Sequence, residues 1–554
     1  MENTQIAEKF DLLSKLLDIH GADSFKAKAF AAASFTIDKL PYPLFHISPE
    51  KWKQIRGIGS SVTTALLQLQ EKETIDQLEE LLKNTPVGVV EMLQIKGVGP
   101  KKIHTIWKEM GIESMGELLY ACQENRLLLY KGFGEKTQAA VAQSIQFILQ
   151  HQGHFLYTEI EALYPLIENY LAQLFGKNNI AVTGSYRRQL PTIEELAFVV
   201  LADKTESKQK FETAQPPQLL EETDTTLLYQ LKNGLRLRLY FTQEIAFTLF
   251  NTSCSQEFKQ AFDSLPLQKE LEPGTSVAPD AQLFAQKGIP YIHPAKREKS
   301  YQLQESTITT PILEVKDIKG LIHCHSNWSD GSNELELMVQ ECIKRNWEFM
   351  VISDHSASAF YANGLTAERV AAQHQQIDSL NARYGPFKIF KSIESDILTD
   401  GSLDYSPSIL STFDLVIASV HSNLRMPKEK ATERLIRAIE NPYTTLLGHP
   451  TGRLLLSREG YPLDFEKVID ACAANGVAIE INAHPRRLDL DWSWVDYALD
   501  KGVFLSIDPD AHQLEGFDDI RYGILVAQKT KLSPHQNLSS FSLSQFEAWL
   551  SKRK

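Results

Sequence analysis

The chain has 554 residues, several times the ~150 of a typical domain, so it must fold as more than one unit. A hydrophobic fraction of 43% and a charged fraction of 23% are ordinary globular values and exclude a wholly disordered or fibrous protein. The net charge of −13 excludes a large, purely electrostatic grip on nucleic acid, but not local contacts made through backbone N–H groups.

The first residues, MENTQIAEKF, lack a basic-then-apolar signal pattern, and no apolar run is long enough to span a bilayer. A soluble, cytoplasmic protein without membrane contact is expected. Cys122, Cys254, Cys324, Cys342 and Cys472 form no CxxC pair and read as reduced thiols. Ile6, Phe10, Leu13, Leu16 and Leu17 predict a helix over Thr4–Leu17. Three related turns follow, around Gly57-Ile-Gly59, Gly97-Val-Gly99 and Gly132-Phe-Gly134. A Gly-x-Gly turn permits positive φ and presents backbone N–H groups beside a helix start, where a DNA phosphate can sit. Pro100, Lys101 and Lys102 add a favourable helix start and two cations. One copy is most simply a tight turn between helices, whereas three favour non-specific contact with the DNA backbone.

Between about 155 and 300 the pattern is mixed, with strands expected at Ile180–Val182, Ala197–Leu201 and Leu235–Phe241. Residues 301–318, with Ser and Thr around Pro311, read as a linker. From Lys319 onward, apolar strands alternate with helical patterns, the mark of a β/α architecture. The strand-like runs are Leu321–His325, Phe349–His355, Ile389–Glu394, Leu415–His421, Thr444–His449, Val477–Asn482 and Val503–Asp508. Strand alternation is expected to point His323 and His325 the same way. Asp330, His355, Glu394, His421, His449, Asp510 and His512 follow at or beyond the strand ends. A lone histidine there is usually structural, but in a β/α barrel those ends converge on one face. Imidazoles mixed with carboxylates suit Mn²⁺, Zn²⁺ or Fe and are too many for one ion, so two or three bridged divalent ions are expected. No side chain stands out as the nucleophile, a role expected of water activated by the ions.

The segments around Phe25–Ala33, Ile95–Ile112 and Lys131–Thr137, together with Gly184-Ser185-Tyr-Arg-Arg188 and Pro290–Glu298, resemble X-family DNA polymerases. His323-x-His325, Ser329-Asp330-Gly331, Asp354-His355, Glu394, His421, Gly448-His449-Pro450 and Asp510-x-His512 resemble the polymerase and histidinol phosphatase (PHP) family of metal phosphoesterases. Together they resemble bacterial X-family polymerases with a C-terminal nuclease. This implies a multidomain chain: a helical lyase-like DNA-binding domain at 1–85, fingers with helix-hairpin-helix motifs at 86–150, an α+β nucleotidyltransferase-like palm at 151–225, a thumb at 226–300, the linker, and a distorted (β/α)7 barrel at 319–554. It also implies the nine metal ligands named above and a degenerate nucleotide contact at Gly184, Ser185 and Arg188; Arg453 and Arg487 are candidates for holding a phosphate, with a surface salt bridge as the alternative for each. His484 stands where the family has asparagine, and Lys26, Lys28, Lys51 and Lys53 are open candidates for a lyase lysine.

The departures from the polymerase pattern carry weight. Its metal-binding aspartates are replaced by Glu195, Ala197 and Arg238, so nucleotide transfer is expected to be lost. The expected function is a DNA-directed, metal-dependent phosphoesterase in repair, a 3′→5′ exonuclease first, with 3′-phosphatase or abasic-site cleavage also open. Its partner is expected to be DNA with gaps, nicks or 3′ ends, bound by a monomer. The alternatives are a histidinol-phosphatase-like enzyme for small molecules, a polymerase using substitute carboxylates such as Glu194 with Glu195, and a non-enzymatic DNA-end platform.

Overall fold

The apolar spacing near the N-terminus folds as a helix over Asn3–Ile19, whose Ile6, Phe10, Leu13 and Leu17 are buried. It packs on the helix Ser24–Asp38, with the Phe10 and Phe30 rings 5.3 Å apart. The structure, a computed structural model, describes residues 1–22, 24–123, 126–151, 153–212, 217–267, 278–303 and 311–552. The chain divides into two compact units, Met1–Gln152 and Gly153–Lys554. In the first unit, each Gly-x-Gly turn runs into a helix, Ser60–Lys72, Pro100–His104 and Glu135–His151. No helix among the described residues is long and apolar enough to cross a membrane.

The second unit begins with a five-stranded sheet of β1 (Ile180–Thr183), β2 (Glu195–Leu201), β3 (Gln218–Glu222), β4 (Thr226–Gln230) and β5 (Arg236–Thr242), in the order β1-β2-β5-β4-β3. Because β5 pairs in parallel along all of β2, the expected palm–thumb boundary at 225/226 falls inside this sheet. The sequence reading missed β3 and β4 for different reasons. β3 is mostly exposed, while the middle of β4 is wholly buried, so neither shows a clean two-residue period.

The barrel strands are β6 (Gly320–Cys324), β7 (Phe349–Ile352), β8 (Lys388–Asp396), β9 (Leu415–Ser419), β10 (Thr444–Leu447), β11 (Ala478–Asn482) and β12 (Leu505–Asp508). They lie side by side in chain order and run parallel. A parallel bridge between Cys324 and Ala511, with His325 N–H donating to Ala511 O at 2.9 Å, nearly closes the barrel. Several strands end earlier than expected. β7 stops before His355, β9 before His421 and β10 before His449, leaving those residues in loops at one end of the barrel.

The expected linker is only partly one. Gln302 and Leu313 are buried, and Gln302 Nε2 donates to Lys529 O at 2.6 Å. Residues 304–310 of that expectation lie outside the described residues. Lys529 itself, from the barrel domain, is fully buried and donates to Arg188 O at 2.8 Å, Ala295 O at 3.3 Å and Glu298 Oε1 at 3.2 Å. Tyr522 makes a second tie to the helix Tyr157–Phe175, pairing with Thr158 Oγ1 at 2.6 Å and donating to Glu161 Oε2 at 2.8 Å. These ties join residues between 158 and 303 to the barrel within the second unit. Lys529→Ala strands two buried carbonyls and weakens the neutralisation of Glu298, so it should lower the unfolding free energy of this unit by about 3 kcal/mol. Urea denaturation checks this, and a loss of less than ~1 kcal/mol contradicts the clasp.

Candidate metal centre

Strand alternation does not bring His323 and His325 together. The β6 ladder shifts register between Leu321 and Cys324, His323 has φ 56°, and His325 lies beyond the strand end. The bulge turns His323 inward, and the two rings sit 5.3 Å apart. His449 at φ 21° and Asp510 at φ 53° share this left-handed backbone, which side-chain-bearing residues adopt only where the surroundings enforce it.

Glu394, from the middle of the barrel wall, is the hub. Its Oε1 lies 3.0 Å from His449 Nε2, 3.1 Å from His421 Nε2 and 3.3 Å from His323 Nε2. Its Oε2 lies 2.9 Å from His355 Nδ1 and 3.7 Å from His325 Nε2. Asp510 Oδ1 approaches His325 Nε2 at 3.1 Å and His323 Nε2 at 3.5 Å. Asp330 Oδ1 faces His512 Nε2 at 3.5 Å and His355 Nε2 at 3.6 Å. Ligand atoms within 4.8 Å of one another form three groups: His325, Asp330, His355 and His512; His323, His325 and Asp510; and His355, Glu394 and His421. His325 and His355 each belong to two groups, a sharing the sequence did not indicate.

The electrostatics suit cations. Burial raises the cost of a charge on Glu394, but His421, His323 and His355 outweigh it and hold the carboxyl well below its ordinary range. Burial, with His512 and His355 alongside, drives His325 down to about 3, leaving a neutral imidazole with a free lone pair. Burial also opposes a proton on His421, yet Glu394 and Asp396 push it up to about 10. Without ions, protons do the balancing that divalent cations can do. His323 Nε2 and Glu394 Oε2 are buried and make no well-formed hydrogen bond with the groups around them. The donor set therefore fits metal ions of mixed nitrogen and oxygen preference.

Two orienting carboxylates escaped the sequence reading. Glu480 Oε1 meets His323 Nδ1 at 2.5 Å, and Asp396 Oδ1 meets His421 Nδ1 at 2.6 Å. Such partners fix the ring and its tautomer so that the other nitrogen faces the metal. Each had a signal: Glu480 is an acid inside the apolar strand β11, and Asp396 lies two residues after Glu394 on the same strand. Asp354 instead braces the Asp330 loop, accepting from Ser326 N at 2.8 Å and Ser329 Oγ at 2.5 Å.

Arg453, a candidate for phosphate, is held by groups of the protein. Its guanidinium donates to Asp491 Oδ2 at 2.8 Å, to Arg487 O at 2.9 Å and to Leu488 O, so it shapes the loop that carries Arg487. Arg487 stands beside the cluster, with Nε 3.5 Å from Asp510 Oδ2. His484 is lowered from its ordinary value, by burial first, and its Nδ1 accepts from Arg486 N at 3.2 Å.

In the five-stranded sheet, Ala197 pairs with Arg238 in register. Arg238 Nε lies 2.8 Å from both oxygens of Glu195, and its Nη1 donates to Glu221 Oε1 at 3.3 Å. A guanidinium thus occupies the carboxylate that a metal would need. Arg188 donates to Glu298 Oε2 at 3.4 Å, which ties it to the Lys529 clasp, while Gly184 takes φ 68° at the end of β1. Ser185 lies in the short helix Gly184–Arg187.

In the hairpins, the first glycine of each turn has positive φ: 90° at Gly57, 83° at Gly97 and 96° at Gly132. The turn itself requires those three. Gly59 and Gly99 have ordinary extended backbone at the helix N-cap. A Cβ on Gly59, Gly99 or Gly134 meets nothing within 4 Å, so packing inside the unit does not demand glycine there. Lys101 is exposed, and Lys102 Nζ donates to Gly97 O at 3.2 Å across the turn.

Residues 1–75 match the family described as "Helix-hairpin-helix domain". The whole chain is 29% identical over 570 residues, 100% of each, to the DNA polymerase/3′-5′ exonuclease PolX of Bacillus subtilis. Shorter stretches in the C-terminal part match proteins named "Probable phosphatase". One, from Caldanaerobacter subterraneus, is 38% identical over 99 residues, 17% of this chain and 37% of that protein. Another, from Caldicellulosiruptor saccharolyticus, is 31% identical over 171 residues, 29% of this chain and 64% of that protein. The similarity to an X-family polymerase with a C-terminal PHP domain thus runs the full length of the chain, with the helix-hairpin-helix match at its start and the phosphatase matches in its C-terminal part.

Proposed function

We propose that this protein is a DNA-directed, metal-dependent phosphoesterase acting as a 3′→5′ exonuclease, with a polymerase core that no longer transfers nucleotides. The observation that carries the reading is the convergence of His323, His325, Asp330, His355, Glu394, His421, His449, Asp510 and His512 around one end of the barrel. Two or three divalent ions, Mn²⁺ or Zn²⁺ with iron as a variant, are assigned to these side chains. When bound, such ions supply Lewis-acid activation of water and neutralise charge on a phosphoryl group. The chain's own part is to hold them: Glu480 and Asp396 fix two imidazoles, and Glu394 links the groups. Arg487 is positioned to hold a phosphate of the substrate, since a guanidinium binds phosphate through paired N–H groups.

DNA is assigned to the hairpins. Open space beside Gly59, Gly99 and Gly134, next to helix starts, lets a phosphate approach the backbone there, and Lys101 adds a cation. The relative that matches along the whole chain is named as a polymerase and 3′-5′ exonuclease, in keeping with this substrate. The proposal is tested by incubating a 5′-labelled strand with the purified protein and Mn²⁺, which should shorten it from the 3′ end.

The matches to probable phosphatases favour a second reading, hydrolysis of a small phosphate ester by the barrel alone. Gly99→Val separates the two. It leaves the turn unstrained, unlike a substitution at Gly97, but covers the helix start with a side chain. DNA affinity should fall on the order of tenfold, while turnover of a small chromogenic phosphodiester holds. Unchanged DNA affinity, measured by fluorescence anisotropy, removes the hairpin from the DNA-binding surface.

A further inference from the structure

We infer that Phe360 is a stacking platform for the terminal base of the DNA strand being cut, an inference that rests on the nuclease reading above. Phe360 is 88% exposed, the largest exposure among the large hydrophobic residues of the described structure. It lies in the loop between β7 and the helix Ala367–Tyr384, five residues beyond His355. An exposed phenylalanine is by itself unremarkable. The loop around it is what gives it meaning.

That loop is built to hold its shape. Ala359 and Ala362, on either side of Phe360, are fully buried, so the segment is anchored and the ring is turned outward. Leu365 N–H donates to His355 O at 2.8 Å and closes the base of the loop. Gly364 permits the closure, since a Cβ there would sit 1.8 Å from Ser356 O. Each anchor leads to a proposed metal ligand. Leu365 bonds His355 itself. Ser358 Oγ donates to Asp396 Oδ2 at 2.9 Å, and Asp396 holds the His421 ring. Asn363 Nδ2 donates to Ser329 O at 3.2 Å, next to Asp330, and Arg369 donates to Asn363 O at 2.7 Å. The loop therefore rides on the metal-binding face, and a ring at its tip is within ~17 Å of His355 by chain length alone.

The occupant follows from the size of the feature. Ser358 and Asn363 in the same loop are polar, and a stable protein interface needs about 800 Å² per partner, far more than the Phe360 ring offers. A single exposed ring matches one nucleobase, and base–aromatic stacking tolerates any base, as an exonuclease stepping along a strand requires. A protein partner seated on this loop is the competing occupant.

The test compares two 5′-labelled single strands, alike except that the 3′-terminal residue of one is a tetrahydrofuran abasic analogue. With Mn²⁺, the wild-type protein should remove the base-bearing terminus with kcat/KM roughly tenfold higher than the abasic one, the size of one stacking contact. Phe360→Ala should bring that ratio close to one, and Phe360→Trp should keep it. Equal rates on both strands with the wild-type protein, or an unchanged ratio in Phe360→Ala, overturn the inference while leaving the nuclease reading standing. Cleavage of neither strand by the wild-type protein overturns the nuclease reading and the inference with it.

Discussion

Replacing Glu394 by alanine should abolish Mn²⁺-dependent shortening of DNA and remove more than one equivalent of bound metal. Its two oxygens face five imidazoles, those of His323, His421 and His449 on one side and His355 and His325 on the other. No other carboxylate in the cluster touches so many rings. Losing it therefore disturbs at least two of the groups at once, whereas His512→Ala removes one terminal ring. Loss of an outer-shell partner in metal sites already costs 10–100-fold, so Glu394→Ala should cost more than ~100-fold. DNA binding, assigned to the separate N-terminal unit, should survive in the same preparation. Activity within a few-fold of wild type, or an unchanged metal content, would place the chemistry elsewhere.

Primer extension should be absent with either Mg²⁺ or Mn²⁺. In the sheet, Ala197 offers no ligand, and Arg238 binds both oxygens of Glu195, so that carboxylate is already paired with a fixed positive charge. Glu194, the other candidate carboxylate, is paired with Arg236 Nη1 at 2.7 Å. A single substitution cannot repair this: Ala197→Asp alone leaves the guanidinium in place, and Arg238→Asp alone leaves one carboxylate short. Ala197→Asp with Arg238→Asp together should regain measurable extension if Gly184 and the sheet still present a nucleotide correctly. The Lys529 clasp limits that recovery, because Arg188 is held by Glu298. Template-directed extension by the unsubstituted protein would overturn this part of the account.

The barrel was legible because parallel strands buried on both faces read as short apolar runs, and because residues that could serve as ligands repeat just past them. The individual ligand candidates could be named from that repetition. Their grouping could not, since it depends on a bulge at His323 and on left-handed backbone at His449 and Asp510, which no periodicity encodes. Glu480 and Asp396 were hidden for a related reason: their work is to orient a neighbour, and only distance reveals it. For Arg453 the sequence could not show its contacts: a guanidinium looks the same there whether it stands free or is held, as here, by Asp491 and two carbonyls of the loop that carries Arg487. The sheet edge at β3 and the inner strand β4 lacked the alternation that marks a half-buried strand, so both went unread. Lys529 gave no signal at all. A lysine in a polar C-terminal stretch is ordinarily a solvated charge, and its hydrogen-bond partners, Glu298 and two carbonyls, lie far away in the chain.

The central claim is that the barrel removes nucleotides while the sheet adds none. A 5′-labelled primer–template incubated with the full-length protein and Mn²⁺, with and without deoxynucleoside triphosphates, reads both directions on one gel. The account predicts a ladder of shortened primers in both lanes, lost on chelation of the metal. Primers lengthened in the triphosphate lane, or left intact in both, contradict it.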